Sequence, residues 1–450
     1  MDRKEFWRDP LRHAMLAAPQ GRGVWALCAG LCAAFAVASL YLLRGTEGAV
    51  VVALAGTAAL CALLWGLSQA LRGTDSPALV WLCAAAVCML AVAAHLAMLD
   101  IAPGRYTKVL KPLFEDMWNY EMITALAWED DVWSGVYLLV CALISRMETF
   151  SRLYAVKLFD LCCQSLCAVA VVRLAKRRGA SPLACIGGML ACVLAPTMLL
   201  NAGCWAQCDA TFAMLTLWGL ALLLEEHPLA GCVLWGLALG TKLQSAFLFP
   251  LLIVLFMNRR VSLRHLLAMG AAYLLSQSAI LIDGQGLAAV LGRYAQQLAN
   301  ARGTIGLADH APGVYSLMNV ASVREFSGMG LYLGIACALL VVWALLRRGT
   351  PGDDTTLLLA ALLLGAGLPL VLPQMNARSL YLAGMLAFAA AGTPVLLTAA
   401  LLLEVVSLCS YMEAVFGLMV MPMSTLSLVA IAAVTMIALE LTKRLRGKAA

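Results

Sequence analysis

Runs of about 20 predominantly apolar residues recur along this chain, and each is long enough to cross a hydrocarbon core about 30 Å thick as a helix. Water is absent there, so a spanning segment must satisfy its own backbone hydrogen bonds, and within one segment only a helix does so. Such runs lie at 24–43, 49–71, 77–97, 153–174, 182–202, 207–224, 261–281, 329–346, 355–372, 379–398, 399–417 and 421–442. The stretch 228–257 is interrupted only by Lys242 and reads as two short or kinked helices that turn near that lysine. The fold class expected is an all-α polytopic membrane protein with about 12–14 transmembrane helices.

Composition agrees. Of 450 residues, 63% are hydrophobic and 12% charged, about half the charge of an ordinary soluble domain. The 31 basic residues fall in short clusters between apolar runs and not along one face, which excludes a nucleic-acid footprint. The 16 cysteines are scattered through apolar stretches with no C-x-x-C pair, so they read as small hydrophobic core residues and not as a disulfide or metal scaffold.

Orientation follows from the basic clusters, because short cytoplasmic loops carry the Lys/Arg excess. Residues 1–23 read as an amphipathic cytoplasmic lead and not as a cleavable signal peptide. The segment 134–147 offers only about a dozen apolar residues before Arg146, less than a span needs. If it does not cross, then Lys176 to Arg178, Arg259-Arg260, Arg347-Arg348 and the basic tail 443–450 all fall on the cytoplasmic side with both termini. Residues 24–442 then form a single transmembrane domain. Two long external loops, 98–133 and 283–328, share the outer face with the connections at 203–209, 240–245 and 373–378.

That outer face holds most of the remaining polarity. The first loop carries Asp100, Arg105, Lys108, Lys111, Glu115, Asp116, Trp118, Glu121, Trp128, Glu129, Asp130, Asp131 and Trp133. Such a density of acids, bases and aromatics suits either a phosphate-and-sugar site at headgroup depth or a hydrated loop with an aromatic belt. Asp209 either caps the helix that follows it or acts with Trp205 and Gln207 in a site. Lys242 lies at membrane depth with Gln244 beside it; a lysine there is costly and by default marks an ionic partner. Lys157 and Arg378 either snorkel to the interface or join Lys242 in a cationic ring whose natural guest is a lipid-linked phosphate.

Taken in order, these motifs resemble the bacterial, multi-spanning mannosyltransferase-like branch of the GT-C glycosyltransferase superfamily. That family's W-G-Q-x-D is matched by Trp205-Ala206-Gln207-Cys208-Asp209, and its G-L-A-x-x-x-K-x-Q by Gly236-Leu237-Ala238-Leu239-Gly240-Thr241-Lys242-Leu243-Gln244. Its Y-x-x-Q followed by N-A-P-N-x-Y is matched by Tyr294, Gln297, Ala311, Pro312 and Tyr315. Its M-H-E-R-Y is matched by Met375 and Arg378 alone. The likeness covers roughly residues 98–390.

The resemblance implies an inverting glycosyltransferase of the bacterial plasma membrane. It would move a hexose, mannose-like, from a polyprenyl-phosphate carrier to a lipid or glycan acceptor on the extracytoplasmic face, with no cofactor beyond the lipid-linked donor and no metal. It implies that Lys242, Arg378 and Lys157 contact the phosphate, and that Trp205, Gln207, Asp209, Gln244, Gln297 and Tyr315 bind or orient the sugar and donor. The chain departs from the family where S-G-D-Y supplies a general base, because Pro103-Gly104-Arg105-Tyr106 stands there and arginine cannot accept a proton. Asp116 or Asp130 is then the replacement base. His310 and Gly313 replace the two asparagines of N-A-P-N-x-Y, and Asn376 and Ala377 replace the His and Glu of M-H-E-R-Y. Two alternatives stay open: a catalytically silent relative that binds lipid-linked sugar, and a transporter or flippase for such a substrate.

Overall fold

The computed structural model describes residues 22–45, 48–73, 78–127, 135–304, 306–318, 323–347 and 353–447. Asp130 and nearly all of the 1–23 lead lie outside the described residues. Within them the chain is an all-α polytopic membrane protein; the only strands are two residues each.

Helices α1 (Arg22–Leu42), α2 (Ala49–Leu71) and α3 (Ala78–Leu96) open the bundle. The first polar loop is itself partly helical, with α4 (Lys111–Asn119) and α5 (Met122–Ala127), and the segment after it forms α6 (Gly135–Ser145). In α4, Phe114 and Met117 turn inward while Lys111, Glu115 and Asp116 stay exposed, so this stretch is an amphipathic helix and not an irregular loop. Helix α6, with 11 residues, is shorter than a span needs. The backbone N–H of Val136 donates to Gly240 O at its start, and Arg146 past its end donates to Trp118 O and Tyr120 O at the C-terminal end of α4.

Helix α7 (Arg152–Arg177) is the central post. Ser151 caps it by accepting from the Tyr154 N–H, and its apolar window is 83% buried, against 22% for the peripheral helix at Phe326–Arg347. Helices α8 (Pro182–Leu194) and α9 (Pro196–Leu199) run on into a π-turn at Leu200–Trp205, and the pair bends by 42° at Pro196. Proline lacks the N–H that would continue the ladder, which explains the break.

Helices α10 (Asp209–Leu224) and α11 (Pro228–Leu239) follow, then an extended Lys242, a 3-10 turn at Leu243–Leu248 and α12 (Pro250–Met257). The expected turn near Lys242 is therefore present. Helices α13 (Leu263–Ser276), α14 (Ser278–Ile282) and α15 (Gly286–Thr304) lead to strand β1 (Ala308–Asp309). Residues 283–328, expected as a loop, are helical over Gly286–Thr304 and again from Val323. The chain continues with α16 (Val323–Arg347), α17 (Asp354–Val371), strand β2 (Met375–Asn376), α18 (Tyr381–Ala390), α19 (Pro394–Phe416) and α20 (Met423–Gly447). The division expected between 398 and 399 falls instead at 391–393, where Thr393 caps α19 by accepting from Leu396 N–H and Pro394 takes its first helical position.

Among the described residues, seven helices are long and apolar enough to cross a membrane, or eight if the bent pair counts as one span. The sequence count of 12–14 included apolar helices of 10–17 residues, such as Asp209–Leu224 and Pro228–Leu239. Asp209–Leu224 packs against α7 and against Pro228–Leu239, which packs in turn against α13.

The basic clusters meet at one end of the bundle. Lys176 donates to Gln69 O at 2.7 Å, Arg177 and Arg260 both pair with Asp354, at 3.4 and 3.1 Å, and Arg444 pairs with Asp353 at 2.9 Å. The loops rich in acids, amides and aromatics gather at the other.

Candidate functional site

At the polar end, three segments distant in sequence converge on one carboxylate. Asp209 is fully buried at the start of α10. The Lys242 ammonium lies 2.5 Å from its Oδ1, and Arg378 Nη1 lies 3.1 Å from its Oδ2. Asn201 Nδ2 donates to Asp209 Oδ2 and to the Tyr411 hydroxyl, both at 3.0 Å. Arg378 Nη1 also donates to Gln207 Oε1 at 2.5 Å, and Gln207 Nε2 reaches Trp205 O at 3.1 Å.

Local backbone geometry makes this convergence possible. The π-turn ends on Ala206 at φ 53, ψ 63, a left-handed conformation that reverses the chain so that Gln207 and Asp209 point back at the cluster. An alanine there is strained by about 1–2 kcal/mol, and the W-G-Q-x-D pattern has glycine at this position. Lys242 is extended between α11 and the 3-10 turn; its N–H still donates to Ala238 O at 3.0 Å, which anchors it to the last turn of α11 while its side chain reaches Asp209. Arg378 is presented by β2, which pairs in parallel with β1 and so lays residues 308–309 beside 375–376. The Asn376 side chain accepts from the Arg378 N–H at 3.1 Å, and the Ser379 hydroxyl accepts from Asn376 N at 3.0 Å; Gln244 Nε2 donates to that same hydroxyl at 3.2 Å.

Aromatic rings enclose the charges. The Arg378 guanidinium lies 5.2 Å from the Trp205 ring centroid, and Lys242 lies 5.2 Å from that of Phe212. Trp205 meets Tyr411 edge to face at 5.0 Å. These are cation–π distances in a site shielded from water, where such contacts are strongest. Counting Asp209, Lys242 and Arg378 alone, two cations face one carboxylate.

The structure thus brings together Trp205, Gln207, Asp209, Lys242, Gln244 and Arg378. Lys157 does not join them. It is buried, and its ammonium donates to Met98 O and Ile101 O at 2.6 Å and to Leu99 O at 3.2 Å, taking up carbonyls beyond the end of α3. A ring of three cations is therefore replaced by a pair. Tyr315 is half-buried and donates to Val371 O at 2.8 Å, away from the charges. Gln297 is half-buried on α15. Asp116 is exposed on α4 and, among the described residues, forms no hydrogen bond or ion pair.

Three groups escaped the sequence reading. Tyr411 on α19 needs tertiary structure to be seen. Glu413 pairs with His310 Nδ1 at 3.0 Å, tying the 308–315 segment to the end of the same helix. Asp160, fully buried in α7, has no hydrogen-bond partner on either carboxylate oxygen. An acid eight residues inside an apolar run was the available signal for it. Among the described residues no cluster of His, Cys, Asp and Glu is arranged to hold a metal.

No protein-family model matches the chain, and no curated protein matches it in sequence.

Proposed function

We propose that this chain is a glycosyltransferase of the bacterial plasma membrane, with its termini cytoplasmic and the Asp209 cluster on the extracytoplasmic side. It transfers a hexose from a polyprenyl-phosphate carrier to a lipid or glycan hydroxyl. The observation that carries the reading is the buried pairing of Lys242 and Arg378 on Asp209, from the segments that resemble the family's motifs. Breaking the bond between the anomeric carbon and the phosphate oxygen leaves negative charge on the lipid phosphate. Two preoriented cations in a water-poor site stabilise that charge well. Asp209 and Gln207 hold the cations in place, and Trp205 offers an aromatic face to a sugar ring.

The acceptor hydroxyl must lose a proton as it attacks. Asp116, or Asp130, is the proposed acceptor of that proton. The test is transfer of radiolabelled hexose from polyprenyl-phosphate hexose in membranes containing the full chain. Lys242→Met and Arg378→Met should each lower transfer at least a hundredfold, within the range for loss of a transition-state donor. Wild-type-like rates in both would overturn the assignment.

A second reading is favoured by Arg105 at the position of the family's aspartate and by Asn376, whose side chain caps Arg378 and Ser379 locally instead of supplying acid–base chemistry. In it the chain binds the lipid-linked sugar and turns none over. Saturable binding of polyprenyl-phosphate hexose that Arg378→Met abolishes, with no transfer to any acceptor, would select it.

A further inference from the structure

At the basic end of the bundle, a cavity of about 380 Å³ opens between α17, α18, α19 and α20, lined by Arg178, Thr355, Thr393, Glu440, Lys443 and Arg444 among others. Its size falls within the range of small-molecule sites, about 300–1,000 Å³. Three cations and one acid line it.

The cations are held differently. Arg444 is bridged to Asp353 at 2.9 Å. Lys443 is 69% exposed and only loosely paired with Glu440 at 3.6 Å, a geometry worth little in water. Arg178 donates Nε to Ala389 O and Nη2 to Ala391 O, at 2.7 and 2.9 Å. Those bonds fix the guanidinium at the end of α18 and leave Nη1 against Gly392, whose missing side chain makes the room: a Cβ there would stand 2.5 Å from Nη1. Among the described residues no carboxylate pairs with Arg178. The N-terminus of α19, capped by Thr393, adds positive potential, whereas that of α17 is already answered by Asp353 and Asp354, which pair with Arg444 and with Arg177 and Arg260.

From the mouth of this cavity an apolar stripe runs along α19. Leu397, Leu401 and Val405, spaced by four residues, are 51%, 59% and 46% exposed, beginning one residue beyond the lining Leu396. A soluble phosphate has no use for that stripe; an acyl chain does.

We propose that this cavity binds the phosphate group of an anionic phospholipid, with the headgroup between Arg178 and Lys443 and an acyl chain against Leu397, Leu401 and Val405. The site lies at the opposite end of the bundle from the Asp209 cluster and does not depend on the transferase reading.

The full chain in neutral detergent, analysed by native mass spectrometry with phosphatidylglycerol or phosphatidylcholine, tests this. Phosphatidylglycerol should be retained in preference, and Lys443→Gln should weaken its retention about fivefold, the share of one basic residue near a membrane surface. Arg264→Gln, which removes an exposed charge of the same end outside the cavity, should leave retention unchanged. Because Arg178 also ties down α18, Arg178→Lys is compared with Arg178→Met, and retention should survive only in the first. Equal retention of the two lipids, or loss in Arg264→Gln as large as in Lys443→Gln, would overturn the proposal. Binding of inorganic phosphate at millimolar concentration, abolished by Lys443→Gln and unaccompanied by any lipid preference, would overturn the lipid as occupant.

Discussion

Replacing Asp209 by asparagine changes one oxygen for an NH2 group and keeps the shape of the side chain, so its effect isolates charge. The Asp209 side chain is wholly buried, while those of Arg378 and Lys242 are 6% and 13% exposed. In Asp209→Asn the two cations lose their carboxylate and face each other through a neutral amide. Breaking a buried pair by removing one partner costs about 3–5 kcal/mol, mostly because the remaining charge is left uncompensated. A direct estimate is of the same order: a cation about 4 Å from the carboxylate at an effective dielectric near 20 is attracted by about 4 kcal/mol, and the amide, which is easier to bury than the carboxylate, offsets part of the loss of two such attractions.

The charge count also orders the variants. Lys242→Met and Arg378→Met each leave one cation on one carboxylate, so each should destabilise less than Asp209→Asn. In the Lys242→Met background, the asparagine substitution leaves a single cation with no like charge to face, so its further effect should shrink. Unfolding in mixed micelles with rising SDS, followed by tryptophan fluorescence, reads all four species, with Trp205 beside Arg378 as a local reporter. Asp209→Asn within 1 kcal/mol of the parent, or less harmful than Lys242→Met, would refute the reasoning.

Further outcomes follow from single positions. Lys157→Met should destabilise by about 1–3 kcal/mol, because three carbonyls beyond α3 lose their donor, and it should leave donor binding intact; a specific loss of lipid-phosphate affinity would place Lys157 in the site after all. Asp160→Asn should change unfolding free energy by less than about 1 kcal/mol, since the acid has no hydrogen bond to lose; a large loss in the same SDS titration would mean that a partner holds it. Ala206→Gly should be neutral or stabilising by up to about 1 kcal/mol, as relief of left-handed strain outweighs the entropy of glycine; a clear drop in unfolding midpoint would show the alanine methyl packs usefully. Asp116→Asn should reduce hexose transfer without altering stability, and unchanged transfer would remove it as the base.

What was legible along the chain, and what was not, divides by the range of the interactions involved. Apolar runs announce helices because helix bonds are local and the bilayer demands them, so the all-α membrane architecture was readable. The division at 391–393 was readable too, in Gly392-Thr393-Pro394, a cap followed by proline, but the apolar run across it concealed the stop. The segments 98–133 and 283–328 read as loops because they are long and not apolar, although the spacing of Phe114 and Met117 among the charges of α4 is that of an amphipathic helix. Lys242 signalled that it needed a partner, yet only tertiary structure could choose Asp209, 33 residues away. The same limit misassigned Lys157. Its depth in an apolar run promised an ionic guest, and the fold satisfies it with backbone carbonyls supplied 56–59 residues earlier. A buried cation therefore shows from sequence that it must be answered, while whether the answer is a substrate or the chain itself depends on which loop the fold brings past it.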